Sequence, residues 1–281
     1  MLSPDDILLT DQVAIVTGGA QGIGEGIATN FARFGARVVI ADKNAETGES
    51  TARAIRDSGA DALFVKCDVR ELDQVEQMVE AAQKAFGRID ILVNNAGGVR
   101  RAPFLELQER GWRKHIDLNL YGLFGPTDLA ARAMIAGGRG GSIINVATIE
   151  AFRGAPHRSV YAACKAAMVN FTRTLSLELA EHGIRVNAIA PDIIATPGIR
   201  LVDADGGAPS KRLAALKQAV PLGRVGHTDE AAGACVFLAS RMAAYVTGAT
   251  LHVDGGTWAS SGWTRDAQDR WQLFEGFADA Y

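Results

Sequence analysis

Short β-branched runs alternate with helix-length amphipathic stretches along nearly the whole chain, and this alternation leaves few folds open to it. The first run, VAIVT (13–17), ends in a glycine-rich turn. A helix is expected from about 22 to 34, with Ile23, Ile27, Phe31 and Phe34 near helical spacing and Gly35 as its stop. The unit then repeats. Strands are expected at 37–41, 62–67, 89–95, 141–147, 184–190 and 249–255. Helices are expected at 44–58, 71–86, 109–136, 159–182 and 228–240, the 109–136 region interrupted near Gly122, Gly125 and Pro126. Seven strands separated by helices predict a doubly wound, seven-stranded parallel sheet with helices on both faces. The crossovers in such a sheet are right-handed.

The 281 residues fit one α/β domain, 1–281, with 256–281 as a C-terminal extension of that domain. Two segments read as irregular: 196–217, and the tail, which carries Trp258, Trp263 and Trp271. Hydrophobic residues make up 48% and charged residues 22%, an ordinary globular balance. The net charge of -3 leaves no basic excess for nucleic acid or an acidic membrane. Cys67, Cys164 and Cys235 are odd in number and widely spaced, which argues against a disulfide framework or a metal site. The N-terminus is acidic and unlike a secretory signal. No run reaches the roughly 18 apolar residues of a membrane span, so a cytoplasmic protein is expected.

The turn TGGAQGIG (17–24) places Gly18, Gly22 and Gly24 between a strand and a helix. Glycines there allow a tight turn and close approach of backbone to a pyrophosphate. The free N–H groups and positive end of the next helix attract the phosphates. Asp42 ends the second strand about twenty residues on, where a carboxylate accepts hydrogen bonds from ribose hydroxyls and repels a 2′-phosphate. NAD is therefore favoured over NADP, and Lys43 softens that preference.

In YAACK (161–165), Tyr161 and Lys165 are four apart and share one face of a helix. A free phenol titrates at about 10, too high for an efficient base at neutral pH. A nearby ammonium favours the phenolate, so such a pair can take a proton from an alcohol or give one to a forming alkoxide.

Taken together, TGGAQGIG, Asp42, CDV (67–69), NNAG (94–97), Asn119 in DLNLYG, INVAT (144–148), YAACK and PDIIATP (191–197) resemble the short-chain dehydrogenase/reductase family in its single-domain form. The likeness covers about residues 10–256. It implies a Rossmann fold, an NAD(P)-dependent oxidoreductase acting on a secondary alcohol or ketone, and a homo-oligomer, tetramer or dimer. It implies Tyr161 as general acid/base, with Lys165 lowering the tyrosine pKa and binding the nicotinamide ribose. Asn119 would hold a water linking Lys165 to solvent. The turn Gly18, Gln21, Gly22, Ile23 and Gly24 would meet the cofactor. Asp68 and Val69 would lie by the adenine, Asn95, Ala96 and Gly97 under the adenosine ribose, and Pro191, Ile194 and Thr196 toward the nicotinamide end.

Two positions depart from the family pattern. Thr148 stands where a serine is usual; it keeps a hydroxyl for the substrate oxygen, but its β-branch takes room. Asp192 replaces the usual glycine after Pro191, and its carboxylate either repels acidic substrates, binds a polar group or is merely solvated. Substrate contacts are expected from 149–158, from the residues after Gly97 and from 196–217. Within these, Glu150, Phe152, Arg153 and His157 offer mixed chemistry. Arg100 and Arg101 either meet a carboxylate or phosphate or sit in solvent. The tail either covers a pocket, seals a subunit contact or forms a surface helix. Two further functional readings stand beside the dehydrogenase: a nucleotide-binding sensor or scaffold without turnover, and an epimerase or dehydratase that keeps its NAD.

Overall fold

The computed structural model describes residues 1–196, 215–216 and 218–273. Seven strands make the main sheet of the described residues: β1 Val13–Thr17, β2 Arg37–Asp42, β3 Ala62–Lys66, β4 Ile91–Asn94, β5 Gly141–Val146, β6 Ile184–Pro191 and β7 Thr250–Val253. They form one sheet in the order β3-β2-β1-β4-β5-β6-β7, and every pairing is parallel. The doubly wound architecture expected from the alternation is thus the observed one.

Period-2 patterning explains the two cores. Ala14 and Val16 of β1 face one side, with Val38, Ile40, Ile91, Val93 and Ile144. Ile27, Ala28 and Phe31 of α1 (Gly22–Arg33) pack there, as do Ala232, Cys235 and Val236 of α7 (Thr228–Ala239). Ile15 faces the other side with Val39, Leu92, Ile143 and Val186. It meets Val75, Met78 and Ala82 of α3 (Leu72–Phe86), and Ala130 and Met134 of α5 (Gly122–Gly137). Phe31 is fully buried. Truncating it to alanine is expected to cost about 3–5 kcal/mol. The remaining helices on the sheet are α2 (Ala45–Asp57), α4 (Phe104–Ile116) and α6 (Ser159–Glu178).

Helix α2 is capped by Asn44, whose Oδ1 accepts from the N–H groups of Glu46 at 3.1 Å and Thr47 at 3.3 Å. The region expected as one interrupted helix proves to be α4, a π-turn over Asp117–Tyr121, and α5. Gln108 sits in α4 at φ 55°, so regular winding starts beyond it, near the expected 109. The helix expected to reach 182 ends at Glu178 and continues as a 3-10 turn, Ala180–His182.

Beyond β7 the tail is neither plain loop nor a long helix. It makes one turn of helix, Thr257–Ser260, then a two-stranded antiparallel pair, β8 Thr264–Arg265 and β9 Trp271–Gln272. Trp258 stacks on His252 at 5.9 Å between ring centroids, and Phe152 packs against both rings. Most of the 196–217 segment and the last eight residues lie outside the described residues.

Candidate active site

Strand order reverses between β1 and β4: the chain runs outward to β2 and β3 from one, and to β5, β6 and β7 from the other. Loops leaving such a switch point at the C-terminal strand ends diverge and open a crevice. A cleft of about 450 Å³ lies there. It is lined by Gly18, Gln21, Gly22, Ile23, Gly24, Asp42, Asp68, Val69, Asn95, Ala96, Gly97 and Thr196.

Backbone shapes this cleft. Gly18 has φ +62°, and a Cβ there would lie 2.9 Å from the Ala96 Cα. A Cβ on Gly24 would meet the Gly18 carbonyl oxygen at 2.1 Å. Neither position admits a side chain. No side chain caps the start of α1, so its first N–H groups stay open toward the cleft. The Asn95 Nδ2 donates to the carbonyls of Thr17 at 3.0 Å and Gly18 at 2.9 Å. The Thr17 hydroxyl accepts from the N–H groups of Asn95 and Ala96. The glycine turn and the loop after β4 are therefore sewn together. A backbone cradle with open donors and a carboxylate at its far end fits a dinucleotide, and no observation here conflicts with one.

The Asp42 carboxylate accepts from Asn44 N–H at 2.9 Å and Ala20 N–H at 3.3 Å. It keeps acceptor capacity for hydroxyls of a ligand. Lys43, Cys67, Arg70 and Leu118 also line the cleft. Of these, sequence reading missed Cys67, Arg70 and Leu118; the signal was only a cation two residues after Asp68. Arg70 forms a two-point ion pair with Asp68, at 2.8 and 2.5 Å, which holds that carboxyl below its usual range. Ile194 is buried, forms a parallel bridge with Gly226, and lines a neighbouring cavity of about 430 Å³ rather than this cleft. Pro191 is buried at the end of β6.

The second half of the site stands beside the cleft. Tyr161 lies in the first turn of α6, and Lys165 follows one turn later. The Lys165 Nζ donates to the Val146 carbonyl at 2.7 Å and sits 6.0 Å from the Tyr161 ring centroid. Gly97 passes close by: a Cβ there would lie 3.5 Å from Lys165 Nζ and 3.0 Å from Asn119 Oδ1. Asn119, in the π-turn, is almost fully buried. Its Nδ2 donates to the Gly98 and His115 carbonyls, and its Oδ1 accepts from Gly98 N–H at 3.0 Å. One amide thus fixes the loop after β4 through both backbone groups of Gly98. Thr148 is buried just past β5 and caps a 3-10 turn, Ile149–Ala151.

Burial dominates the electrostatics. It pushes the Tyr161 phenol up to about 12, opposed by Arg158 and by the neighbouring Thr148 hydroxyl and reinforced by Glu150. The direction is opposite to the lowering expected from an adjacent ammonium. Lys165 itself is pushed down to about 8 by burial. Asp192 is not a solvated loop residue: it accepts from the Thr257 hydroxyl at 2.7 Å and faces Arg153 at 3.5 Å. Burial raises its carboxyl above the usual range.

Residues 18–257 match the family model described as enoyl-(acyl carrier protein) reductase. Galactitol 2-dehydrogenase of Agrobacterium fabrum is 40% identical over 257 residues, covering 90% of this chain and 99% of that protein. This chain belongs to the short-chain dehydrogenase/reductase family. L-rhamnose 1-dehydrogenase (NAD(P)(+)) of Azotobacter vinelandii, another relative, is 39% identical, covering 89% of this chain and 98% of its own length. Among solved structures, a 7α-hydroxysteroid dehydrogenase complexed with NADH and 7-oxo glycochenodeoxycholic acid superposes with TM-score 0.84 at 33% identity. That match covers 91% of this chain and 98% of the other. As a short-chain dehydrogenase/reductase, the protein is an oxidoreductase of alcohols or ketones with a nicotinamide cofactor.

Proposed function

We propose that the protein transfers a hydride between NAD and the carbon of a secondary alcohol or ketone, with Tyr161 as general acid/base. The observation that carries this reading is the convergence of Tyr161, Lys165, Thr148 and Asn119 beside a glycine-built cleft. When bound, the nicotinamide supplies the hydride acceptor or donor. The glycine turn and the start of α1 hold the pyrophosphate, and Asp42 accepts from the adenosine ribose hydroxyls. Asp42 favours NAD; Lys43 and Arg70, both on the cleft wall, weaken that preference.

The protein's part in the chemistry is proton handling. In alcohol oxidation the Tyr161 oxygen takes the hydroxyl proton; in ketone reduction it returns one to the forming alkoxide. Thr148 holds the reacting oxygen through its hydroxyl. Lys165, anchored on the Val146 carbonyl, binds the nicotinamide ribose, while the charge that opposes burial at the phenol is that of Arg158. Asn119 fixes Gly98 and the adjoining Gly97, and through them the floor shared with Lys165.

The reading includes a homo-oligomer, dimer or tetramer, in the cytoplasm. Leu105, Tyr121, Phe124 and Leu177 leave apolar surface exposed along α4, the π-turn, α5 and α6, as a covered face requires. The cysteines are buried and unpaired, as suits a reducing compartment. The direct test follows nicotinamide absorbance while purified protein meets secondary alcohols with NAD or NADP. Absence of any cofactor reduction across sugars, cyclic alcohols and sterols defeats the proposal.

A further inference from the structure

A further cavity, about 670 Å³, opens between the loop after β4 and the loop after β5. The two loops are joined by a hydrogen bond from Ala102 N–H to the His157 carbonyl at 3.0 Å. His157 sits at φ +64°, a conformation uncommon outside glycine, and turns the chain directly into Arg158 and α6. Gly262 of the tail adds another part of the wall. The cavity adjoins the catalytic end of the molecule: Arg158 is three residues before Tyr161, and Glu150 two after Thr148. Both charges bear on the phenol.

Its lining holds three guanidinium groups, Arg101, Arg153 and Arg158, against one carboxylate, Glu150. Glu150 is buried and already engaged, by Arg158 at 2.6 Å and Arg153 at 3.4 Å. Asp192 touches Arg153 from outside the lining, so among the described residues two carboxylates face three guanidiniums and one positive charge is left over. Arg101 is exposed and has no carboxylate partner among the described residues. Among the described residues, the charged side-chain capacity left to a ligand is therefore donor and cationic. A polyol needs acceptors as well as donors, and the one lining carboxylate is occupied. A planar carboxylate matches what remains.

Resting on the dehydrogenase reading above, we propose that the substrate carries a carboxylate besides its reacting carbinol or carbonyl. Arg101 and the unused N–H groups of Arg158 receive that carboxylate, while the reacting oxygen reaches Thr148 and Tyr161. Arg101 is the specificity-determining residue, because its guanidinium is not neutralised within the described structure.

The test uses matched pairs on the purified full chain with NAD or NADP: 3-hydroxybutyrate and 3-hydroxycyclohexanecarboxylate, their uncharged primary amides, and galactitol as the polyol arm. Each acid is expected to exceed its amide by about tenfold in kcat/KM, with the advantage shrinking in high salt. Arg101→Gln is expected to lower the acid-to-amide ratio at least several-fold, mainly through KM. Amides or galactitol turned over as well as the acids overturn this proposal and leave the dehydrogenase reading standing. If nothing is turned over, calorimetric titration with cyclohexanecarboxylate and cyclohexanecarboxamide decides. Binding of the acid alone, weakened by Arg101→Gln, supports the carboxylate site; equal or absent binding of the two refutes it.

Discussion

The cofactor cleft and the arginine-lined cavity both open at the C-terminal ends of the strands, yet they are built from different material. The glycine-turn end of the cleft is made of backbone: Gly18 and Gly24 tolerate no Cβ, and its donors are main-chain N–H groups. The charged wall of the cavity is made of long side chains from two separate loops, held in part by ion pairs. A backbone site accepts one ligand shape and fails abruptly when altered. A side-chain site can be retuned residue by residue, which is how one fold serves many substrates.

The catalytic face between them supplies the largest expected effect. Tyr161→Phe should lower kcat by about 10²–10⁴-fold while cofactor affinity, read by nucleotide fluorescence, stays near the original. Retained turnover would remove the phenol from the mechanism. Gly24→Ala tests the backbone side: the added methyl meets the Gly18 carbonyl, so cofactor binding should fall about 100-fold and the melting temperature should drop. Normal binding by this variant would break the contrast between the two regions.

Burial pushes the phenol up to about 12 and Lys165 down to about 8, so the pH dependence reports the phenol first and Lys165 at its upper end. Oxidation requires the deprotonated form, so its kcat/KM should climb between pH 6 and 9, approaching tenfold per unit. Reduction requires the protonated form and should stay level over that range. A falling oxidation profile would rule out Tyr161 as the base. Thr148→Ala should cost about tenfold in kcat, whereas Thr148→Ser should match or exceed the parent. The smallest effect concerns the cleft's far end: Asp42→Ala should shrink the NAD-to-NADP preference several-fold, by about 1 kcal/mol. An unchanged ratio would show that Lys43 and Arg70 already dominate there.

The contrast also explains what could be read without coordinates. Strand and helix periodicities are local, so the seven strands and their order of appearance were visible in runs such as VAIVT and IDILV. The glycine turn was legible because its geometry excludes every other residue type. Lys165 and Tyr161 were legible as a one-turn helical pair. Their titration was not, because burial depends on α6 lying against β5, a contact between residues far apart in the chain. Asp192 read equally well as solvated or engaged; only the return of the tail brings Thr257 to it. Arg70 was overlooked because a cation after an aspartate is usually surface charge, and nothing local says that a cleft opens beside it.

The π-turn at Asp117–Tyr121 has a consequence for how this chain can vary. An α-helix advances about 100° per residue, and the wider winding here absorbs an extra residue between α4 and α5. Deleting Asp117 or Leu120 would let the segment relax into ordinary winding and swing Asn119 off the Gly98 backbone, though every side chain named in the site remained present. At this spot the enzyme depends on the number of residues as much as on their identity, and homologues that gain or lose length elsewhere should keep this count.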